Sequence, residues 1–345
     1  MDSGDVYGTA AAMFLERYKE LVVSLFQRRI GSPDRSSRFA AVVQRCQFAK
    51  EIVQTSRRLC HVYDNPMWQS AVLDTFDLDL IYGNVDRMVQ NSEAEYTDNL
   101  VKELLRYFKQ DFFTWCDKPK CPQCGTNEHQ EIQGAVGPTA EESQSDCGTV
   151  ELYRCTQCQE QTRFPGTNDP VKLLQTRTGR CGEWCNVFTL VLKAFGLPTR
   201  YVVNMEDHVW CEYFSKNLSR WVHVDSCEQS FDQPYIYSKN WNKKMSYCIA
   251  YGDSGVEDVS EKYILQNALP RDRISEGDLQ FVCASLTDQL RQGRSSAELY
   301  KLFCMDEQDR FHSGAHRAGH DSAAVETGRQ SGSKEWTTMR NENGQ

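Results

Sequence analysis

One cysteine stands where a glycine-containing turn leads into an apolar helical segment, in the stretch RTGRCGEWCNVFTLVLKAFG. A thiol is a strong nucleophile only as the thiolate, and the unpaired amides and the dipole of a helix N-terminus favour that anion. Cys181 is therefore a candidate nucleophile. Cys185 lies one helical turn further along, away from the helix start, and is interpreted as a packing residue.

Two later segments carry the groups that such a thiol requires. His208 lies in EDHVWCEYF, 27 positions after Cys181, and Asp225 lies in RWVHVDSCE, 17 positions after His208. A histidine that takes the thiol proton, oriented by a carboxylate, is a recurring way to activate cysteine. Both segments alternate apolar and polar residues, which predicts neighbouring antiparallel strands about 5 Å apart. His223 is a competing base, and His208 taken alone is equally typical of a core histidine.

Four further cysteines form two CxxC pairs. These are Cys121, Cys124, Cys155 and Cys158. Four thiolates satisfy Zn²⁺ and leave no open coordination position, so the pattern predicts a structural zinc site. The gap of 31 residues between the pairs is long, but a hairpin between two knuckles tolerates an insertion. The alternative is redox-active or buried thiols. Cys116 and Cys147 lack a CxxC partner and are not expected to be ligands.

The composition excludes several classes of protein. With 39 Lys+Arg against 48 Asp+Glu, the 345 residues carry a net charge of −9, which argues against a broad nucleic-acid or anionic-membrane surface. No apolar run approaches the ~20 residues that span a bilayer. The first residues, MDSGDVYGTAAAMF, lack the features of a signal peptide. Fifteen cysteines, an odd number in a long chain, therefore predict a reducing compartment.

The remaining patterns predict an α+β fold with strands after Pro198. Helical periodicity is expected over 9–30, 37–63, 96–115, 171–177, 181–195, 275–291 and 296–309. The expected units are an N-terminal helical region (1–94), a zinc-knuckle subdomain with its leading helix (95–170), a catalytic core (171–270), C-terminal helices (271–311) and a tail (312–345). The tail lacks an apolar pattern and is expected to be disordered.

Taken together, the paired knuckles, GRCGEWCNVF, HVWCEYF and WVHVDSCE resemble the cytoplasmic peptide:N-glycanases of the transglutaminase-like superfamily, in their short fungal-type form, over residues 95–265. The resemblance implies a transglutaminase-like/papain-like core with an antiparallel sheet packed on the nucleophile helix, plus the zinc-binding knuckle unit and flanking helices. It does not lead us to expect a long N-terminal adaptor domain or a C-terminal sugar-binding domain.

The same resemblance implies an amidase that removes intact N-glycans from misfolded glycoproteins and converts Asn to Asp through a Cys thioester. Cys181 would be the nucleophile, His208 the general base and acid, and Asp225 the residue that orients the imidazole. Residues suggested to contact the glycan or its carbonyl group are Trp115, Trp210, Glu212, Glu228 and Trp241. Taken on their own, Trp210 and Trp241 are more typical of a core than of a sugar platform.

The resemblance also implies a cytoplasmic and nuclear location, in ER-associated degradation, and a ubiquitin-receptor shuttle protein of the proteasome pathway as partner. The helices over 9–30 and 275–309 are candidate contacts for that protein. Neither a nucleic-acid partner nor a membrane span is expected. Two other functions stay open: a transglutaminase-like acyltransferase or cysteine protease that uses the same thiol and histidine, and a non-catalytic interaction scaffold.

Overall fold

The computed structural model describes residues 3–316 and 328–344. Its helices are α1 (Ser3–Ile30), α2 (Pro33–Arg45), α3 (Gln47–Leu59), α4 (Pro66–Thr75), α5 (Leu78–Asp86), α6 (Glu93–Tyr107), α7 (Ala140–Gln144), α8 (Pro170–Thr176), α9 (Cys181–Ala194), α10 (Ser260–Tyr263), α11 (Glu276–Arg291), α12 (Ser296–His316) and α13 (Lys334–Met339). Its strands are β1 (Thr114–Trp115), β2 (Gln130–Val136), β3 (Val150–Cys155), β4 (Gln161–Pro165), β5 (Thr178–Gly179), β6 (Thr199–Asn204), β7 (His208–Ser215), β8 (Arg220–Asp225), β9 (Ser230–Phe231), β10 (Cys248–Gly252) and β11 (Gly255–Asp258). Within these ranges, no helix is both long and apolar enough to cross a membrane.

The N-terminal helices differ from the expected pattern at one point. The helix predicted over 37–63 is two helices, α2 and α3, because the backbone at Cys46 is extended, with φ −114° and ψ 117°. Two short helices then follow, each with a side-chain cap. Asn65 Oδ1 accepts from the amide of Met67 (3.0 Å) at the start of α4, and Asp77 Oδ1 accepts from that of Leu80 (3.0 Å) at the start of α5.

The central sheet has six antiparallel strands in the order β11-β10-β6-β7-β8-β9. Alternation along β7 directs Cys211 towards α9, where its sulfur lies 3.7 Å from that of Cys185. His208, Trp210 and Glu212 therefore face the opposite side of the sheet. The expected α+β fold, with an antiparallel sheet packed on the helix that begins at residue 181, is confirmed.

The knuckle unit is a separate three-stranded antiparallel sheet in the order β2-β3-β4. It connects to the catalytic core through a short parallel pair, in which Thr114 lies opposite Thr178 and Trp115 lies opposite Gly179. Because β5 ends just before α9, this pair places the knuckle unit beside the start of that helix.

A single buried apolar cluster runs from Val42 of α2 through Phe188 of α9 to Leu286 of α11. The N-terminal helices, the central sheet and the C-terminal helices thus share one core. The boundaries expected at 94, 170 and 270 stay predictions.

The structure corrects the expectation that the C-terminal tail is disordered over residues 312–345. Residues 312–316 continue α12, and residues 328–344 lie on the catalytic core and include α13. The side chains of Arg329 and Glu342 form a fully buried ion pair (2.7 Å). The sequence pattern did not reveal this packing, because the segment binds the core through hydrogen bonds, ion pairs and ring contacts and has no apolar periodicity. Residues 317–327, which belong to the same expectation, lie outside the described part of the chain.

Candidate active site

Cys181 is the first residue of α9, and the turn before it is closely fixed. The amide of Arg180 donates to Glu183 Oε2 (2.9 Å), and Trp184 Nε1 donates to the carbonyl of Gly179 (3.2 Å). A Cβ built at position 179 would lie 2.4 Å from the Cβ of Glu183. Only glycine fits there, so the turn holds the thiol at a defined place on the helix N-terminus.

The knuckle unit supports this turn from the other side. The Arg180 guanidinium donates twice to the Glu151 carboxylate of β3 (2.7 and 2.8 Å) and once to the Tyr153 hydroxyl (3.0 Å). Paired hydrogen bonds between a guanidinium and a carboxylate fix direction as well as distance. The residue before the candidate nucleophile is thereby tied to the sheet that carries the second CxxC pair.

The electrostatic surroundings of Cys181 favour its thiolate. Burial opposes ionisation, but the interaction with His208 and the charge of Arg329 lower the pKa of the thiol below its ordinary value of 9.0. The helix N-terminus acts in the same direction. The surroundings therefore favour the thiolate, the form in which a cysteine acts as a nucleophile. The catalytic role of Cys181 stays a prediction.

His208 and Asp225 meet on the sheet face opposite the body of α9. Nε2 of His208 donates to Oδ2 of Asp225 (3.1 Å), and both side chains are buried. Nδ1 of His208 has no hydrogen-bond partner among the described residues. This division leaves Nδ1 available for proton exchange, the role that the sequence predicts for His208 towards Cys181. The structure thus joins His208 to Asp225, and the influence of His208 on the Cys181 thiol shows that this ring lies near it. The catalytic roles of the three residues stay predictions.

Hydrogen bonds to both side-chain oxygens of Asp225 favour its ionised form. Oδ1 accepts from the amides of Cys227 (2.8 Å) and Glu228 (3.3 Å), while Oδ2 also accepts from the Tyr237 hydroxyl (2.8 Å). Burial opposes ionisation, but the hydrogen bonds and charge of His208, with help from Tyr237, keep the pKa of the Asp225 carboxyl well below its usual range. A permanently ionised Asp225 stabilises an imidazolium at position 208.

Tyr237 is a site residue that the sequence did not reveal. Its hydroxyl lies 2.7 Å from Nε2 of His223, whose Nδ1 accepts from the amide of Gln233 (3.4 Å). Burial lowers the pKa of His223 to about 4, so this ring is neutral near pH 7. A neutral His223 donates to Tyr237, and Tyr237 donates to Asp225. His223 therefore supports the Asp225 carboxylate through Tyr237. This geometry agrees with the preference for His208 over His223 as the candidate base.

The four CxxC cysteines come together as a compact cluster. Their sulfurs all lie within 4.8 Å of one another, with Cys121 to Cys158 at 3.5 Å and Cys124 to Cys155 at 3.8 Å. A tetrahedron with Zn–S bonds of ~2.3 Å has edges of about 3.8 Å, so the spacing fits one metal ion held by four thiolates. The cluster is able to hold a metal ion without an open position for substrate.

The structure contradicts two of the expected glycan contacts, Trp210 and Glu212. Trp210 and Glu212 are 1% and 0% exposed and lie within the core of the sheet face. The Glu212 carboxylate accepts from Arg200 (2.8 Å) and Tyr263 (2.7 Å) and pairs with Lys262 (2.5 Å). Strand alternation correctly places both residues on the face of His208, but the segment 236–263 covers that face further along the strand. Both are packing residues and not surfaces for a sugar.

The other three expected glycan contacts, Trp115, Glu228 and Trp241, lie beside the candidate catalytic residues. Trp115 is partly exposed, Glu228 is partly buried, and Trp241 is fully buried with its ring 4.9 Å from that of His208. All three contact residues 328–344. Their identity as glycan contacts stays a prediction.

Comparison with known protein families gives two matches. The family model described as the transglutaminase-like superfamily matches residues 132–226, which include Cys181, His208 and Asp225. The model of the Rad4 transglutaminase-like domain matches residues 200–304.

Similar proteins match almost the full chain. The peptide-N(4)-(N-acetyl-beta-glucosaminyl)asparagine amidase of Saccharomyces cerevisiae is 54% identical, over 98% of this chain and 97% of the relative. Relatives of the same name from Candida glabrata and Kluyveromyces lactis are 54% and 52% identical, each covered over 99% of its length. Among solved structures, Rad4-Rad23 crosslinked to an undamaged DNA is similar with a TM-score of 0.47 and 14% identity. That match covers 82% of this chain and 60% of the solved chain.

Proposed function

Because this chain belongs to the family of peptide-N(4)-(N-acetyl-beta-glucosaminyl)asparagine amidases, we propose that it removes intact N-glycans from misfolded glycoproteins by hydrolysing the side-chain amide of glycosylated Asn. The observation that carries this proposal is the placement of Cys181 at the start of α9, beside a His208 that is oriented by Asp225 at 3.1 Å. The product peptide carries Asp in place of Asn.

The geometry supports a two-step reaction. The Cys181 thiolate forms a bond to the side-chain amide carbon, and the unpaired amides at the start of α9 favour the oxyanion that develops. His208, as the imidazolium, then gives its proton to the departing nitrogen. The C–N bond breaks, and a glycosylamine leaves behind a thioester on Cys181.

Hydrolysis of the thioester completes the cycle. His208 takes a proton from water, whose oxygen attacks the thioester carbon, and the C–S bond breaks to restore the thiolate. Asp225 and Tyr237 hold the ring in the same orientation throughout, because neither exchanges a proton in either step.

The decisive assay uses a denatured high-mannose glycoprotein and three proteins: wild type, Cys181→Ala and the control Cys304→Ala, which removes a half-buried thiol on α12. We expect wild type and the control to release intact glycan and convert Asn to Asp. Cys181→Ala should lose about 10⁴-fold or more of this activity. An intact glycan together with a cleaved backbone or new isopeptide bonds would instead identify a protease or an acyltransferase. An unmodified substrate and an unreactive Cys181 would identify a scaffold.

We also propose that the ion held by the four-cysteine cluster is a structural Zn²⁺. Its ligands would be Cys121, Cys124, Cys155 and Cys158, and its chemistry would be confined to cross-linking the two knuckles. Cys121→Ser should lower the melting temperature and the zinc content, whereas the neighbouring Cys116→Ser should change neither. An unaltered melting curve and zinc content in Cys121→Ser would contradict this assignment.

A ubiquitin-receptor shuttle protein is the proposed partner, and α1 is its proposed docking surface. One side of α1 packs on α12 through Val23 and Phe26, while Phe14 and Leu21 are exposed. An apolar stripe of this kind is typical of a helix that docks on another protein. Phe14→Asp combined with Leu21→Asp should abolish capture of the purified shuttle protein. Arg17→Ala, on the same helix, is the control, and full capture by the double variant would remove α1 from consideration.

The proposed location is the cytosol, with access to the nucleus. All fifteen cysteines lie in the described part of the chain, and none forms a disulfide. That state suits a reducing compartment. Fractionation of cells that express the tagged protein would test the proposal, and recovery in a secreted fraction would refute it.

A further inference from the structure

Residues 328–344, the C-terminal strap, form a closed loop on the catalytic core. The amide of Gly328 donates to the carbonyl of Asn240 (2.8 Å), and that of Arg329 donates to the carbonyl of Glu342 (2.8 Å). A Cβ at Gly344 would lie 2.7 Å from the nitrogen of Gly328. The two ends of the strap therefore meet, and Arg329 near its start lies close enough to Cys181 for its charge to act on the thiol.

The strap contacts Trp115, Glu228 and Trp241, the three suggested substrate contacts other than Trp210 and Glu212. The Glu228 carboxylate accepts from the amides of Gln330 (2.8 Å) and Ser331 (3.0 Å). The ring of Trp115 packs edge-on against that of Trp336, with 5.2 Å between centroids. Trp241 lies beneath Arg329 and is fully buried. Groups that would be required to bind a glycopeptide are thus already occupied.

Arg329 fills the position between these rings. Its guanidinium carbon lies 5.0 Å from the ring centre of Trp115, 4.8 Å from that of Trp241 and 4.6 Å from that of Trp336. Nη1 pairs with Glu342, whereas Nη2 is buried without a hydrogen-bond partner among the described residues. A cation enclosed by aromatic faces is stabilised, but the two tryptophans of the core are unavailable to any other ligand while Arg329 is present.

Acidic residues of the core hold the outer part of the strap. Asp117 Oδ2 accepts from the amide of Ser333 (2.8 Å), and Asp207 pairs with Arg340 (2.5 Å). Gly332 leaves almost no space, since a Cβ there would lie 2.8 Å from the ring of Trp336 and 3.3 Å from Nε1 of Trp115. These contacts are polar and local, and no large apolar core holds the strap in place.

We propose that the C-terminal strap is an internal ligand of the catalytic cleft, which it occupies in competition with the glycoprotein substrate. The inference rests on the proposed function for the identity of that competing substrate. A strap-closed molecule is unable to bind substrate. The measured KM is therefore the KM of the open enzyme divided by the fraction of molecules that are open. At saturating substrate the strap is displaced, and kcat is that of the open enzyme.

The main experiment compares steady-state deglycosylation by full-length wild type, Trp336→Ala and Met339→Ala. Met339 is 80% exposed on the same helix as Trp336, so it controls for a change in α13. Trp336→Ala should lower KM for a denatured glycoprotein by about 3- to 10-fold, with kcat within about twofold of wild type. Met339→Ala should match wild type. A higher KM or a lower kcat in Trp336→Ala would overturn the proposal, because the strap would then belong to the productive site.

A second variant and a second readout separate this result from misfolding and from the proposed activity. Gly332→Val keeps every side chain of the strap but cannot be accommodated between Trp115 and Trp336. It should open the strap as Trp336→Ala does, with an unaltered melting curve of the core. Labelling of Cys181 by iodoacetamide should be several-fold faster in both variants than in wild type. Equal labelling rates in all proteins would refute the proposal that the strap occupies the cleft.

A synthetic peptide of residues 328–344 completes the design. Added to Trp336→Ala, it should slow both labelling and deglycosylation and should inhibit competitively, whereas a scrambled peptide should not. Absence of inhibition at concentrations that saturate the surface would count against the proposal. If no protein deglycosylates, the proposed function fails, but the labelling rates still decide whether the strap covers Cys181.

Discussion

Two carboxylates are buried on the same face of the central sheet and serve different ends: Glu212 lies opposite His223, two residues before Asp225 on the neighbouring strand. Glu212 on β7 is surrounded by the permanent cations Arg200 and Lys262, with the Tyr263 hydroxyl. Burial opposes ionisation, but these cations lower the pKa of the Glu212 carboxyl to about 2. Its negative charge is therefore balanced by its neighbours at neutral pH.

Within residues 3–316 and 328–344, no lysine or arginine is a direct partner of Asp225 on β8. This carboxylate is held by two backbone amides, by Tyr237 and by His208, a side chain whose charge changes in the proposed reaction. The comparison teaches that burial alone does not mark a catalytic carboxylate. In the proposed mechanism, Asp225 is distinguished by a partner, His208, that gains and loses a proton and acts on the Cys181 thiol.

Among substitutions at these two carboxylates and their partners, Asp225→Asn should give the largest effect on activity. The amide keeps the shape but loses the charge that stabilises the imidazolium, so kcat should fall by about 10³- to 10⁴-fold. Deglycosylation under single-turnover conditions measures the loss. If Asp225→Asn retained more than a tenth of the activity, the two carboxylates would not differ in the way argued above.

Replacement of Glu212 by Gln should act on stability instead. The buried Arg200 and the half-buried Lys262 would lose their main counter-charge, which costs about 3–5 kcal/mol. Urea unfolding at pH 7 measures this, and activity per folded molecule should stay within about twofold of wild type. A variant that is stable but inactive would place Glu212 with Asp225 in the catalytic group.

The neutral support of Asp225 predicts a pH dependence of stability. The pKa of His223 is about 4 in the folded protein and about 6.5 in the unfolded chain, so the unfolded state binds the extra proton between these values. Stability should fall as pH decreases from 6.5 to 4, by about 3 kcal/mol from this group. His223→Gln should flatten this part of the curve, measured by urea unfolding at pH 6.5 and 4.5. Parallel curves for the two proteins would show that His223 is not the source.

Asp225 contributes in a different pH range. Its pKa is lowered by folding, so its contribution is present above the unfolded value near 4 and is lost only as the pH falls further. The two groups are therefore separable in one titration.

Tyr237→Phe should give the smallest change. It removes one hydrogen bond to Asp225 and leaves the backbone amides and His208 in place, so kcat should fall about 5- to 10-fold, which corresponds to about 1 kcal/mol. The acidic limb of the pH profile of kcat/KM should also shift, since the carboxylate loses a donor. An effect on melting temperature alone would mean that Tyr237 only fills space.

The sequence indicated candidate catalytic residues that the structure brings close together, because short-range rules position them. A glycine turn before an apolar helix locates Cys181, and neighbouring antiparallel strands bring His208 and Asp225 within reach of one another. The CxxC spacing similarly indicated all four cysteines of the metal-binding cluster, without any knowledge of the sheet between them.

What the sequence did not predict depends on contacts between distant segments. Alternation placed Trp210 and Glu212 on the face of His208, but only the packing of residues 236–263 determines that this face is covered. Tyr237 carries no local signal that distinguishes it from the other aromatic residues nearby. Arg329 and Glu342 are polar residues in a polar tail, and their burial depends on a surface built by the rest of the chain.

The bond between Arg180 and Glu151 has a practical consequence for anyone who wishes to shorten this protein. A fragment that begins at residue 171 keeps the nucleophile, the histidine and the aspartate, yet it discards the carboxylate that anchors the residue next to the nucleophile. Such a miniaturised version would retain the reactive groups and lose the scaffold that aims them. The smallest useful unit therefore includes β3 together with both cysteine pairs.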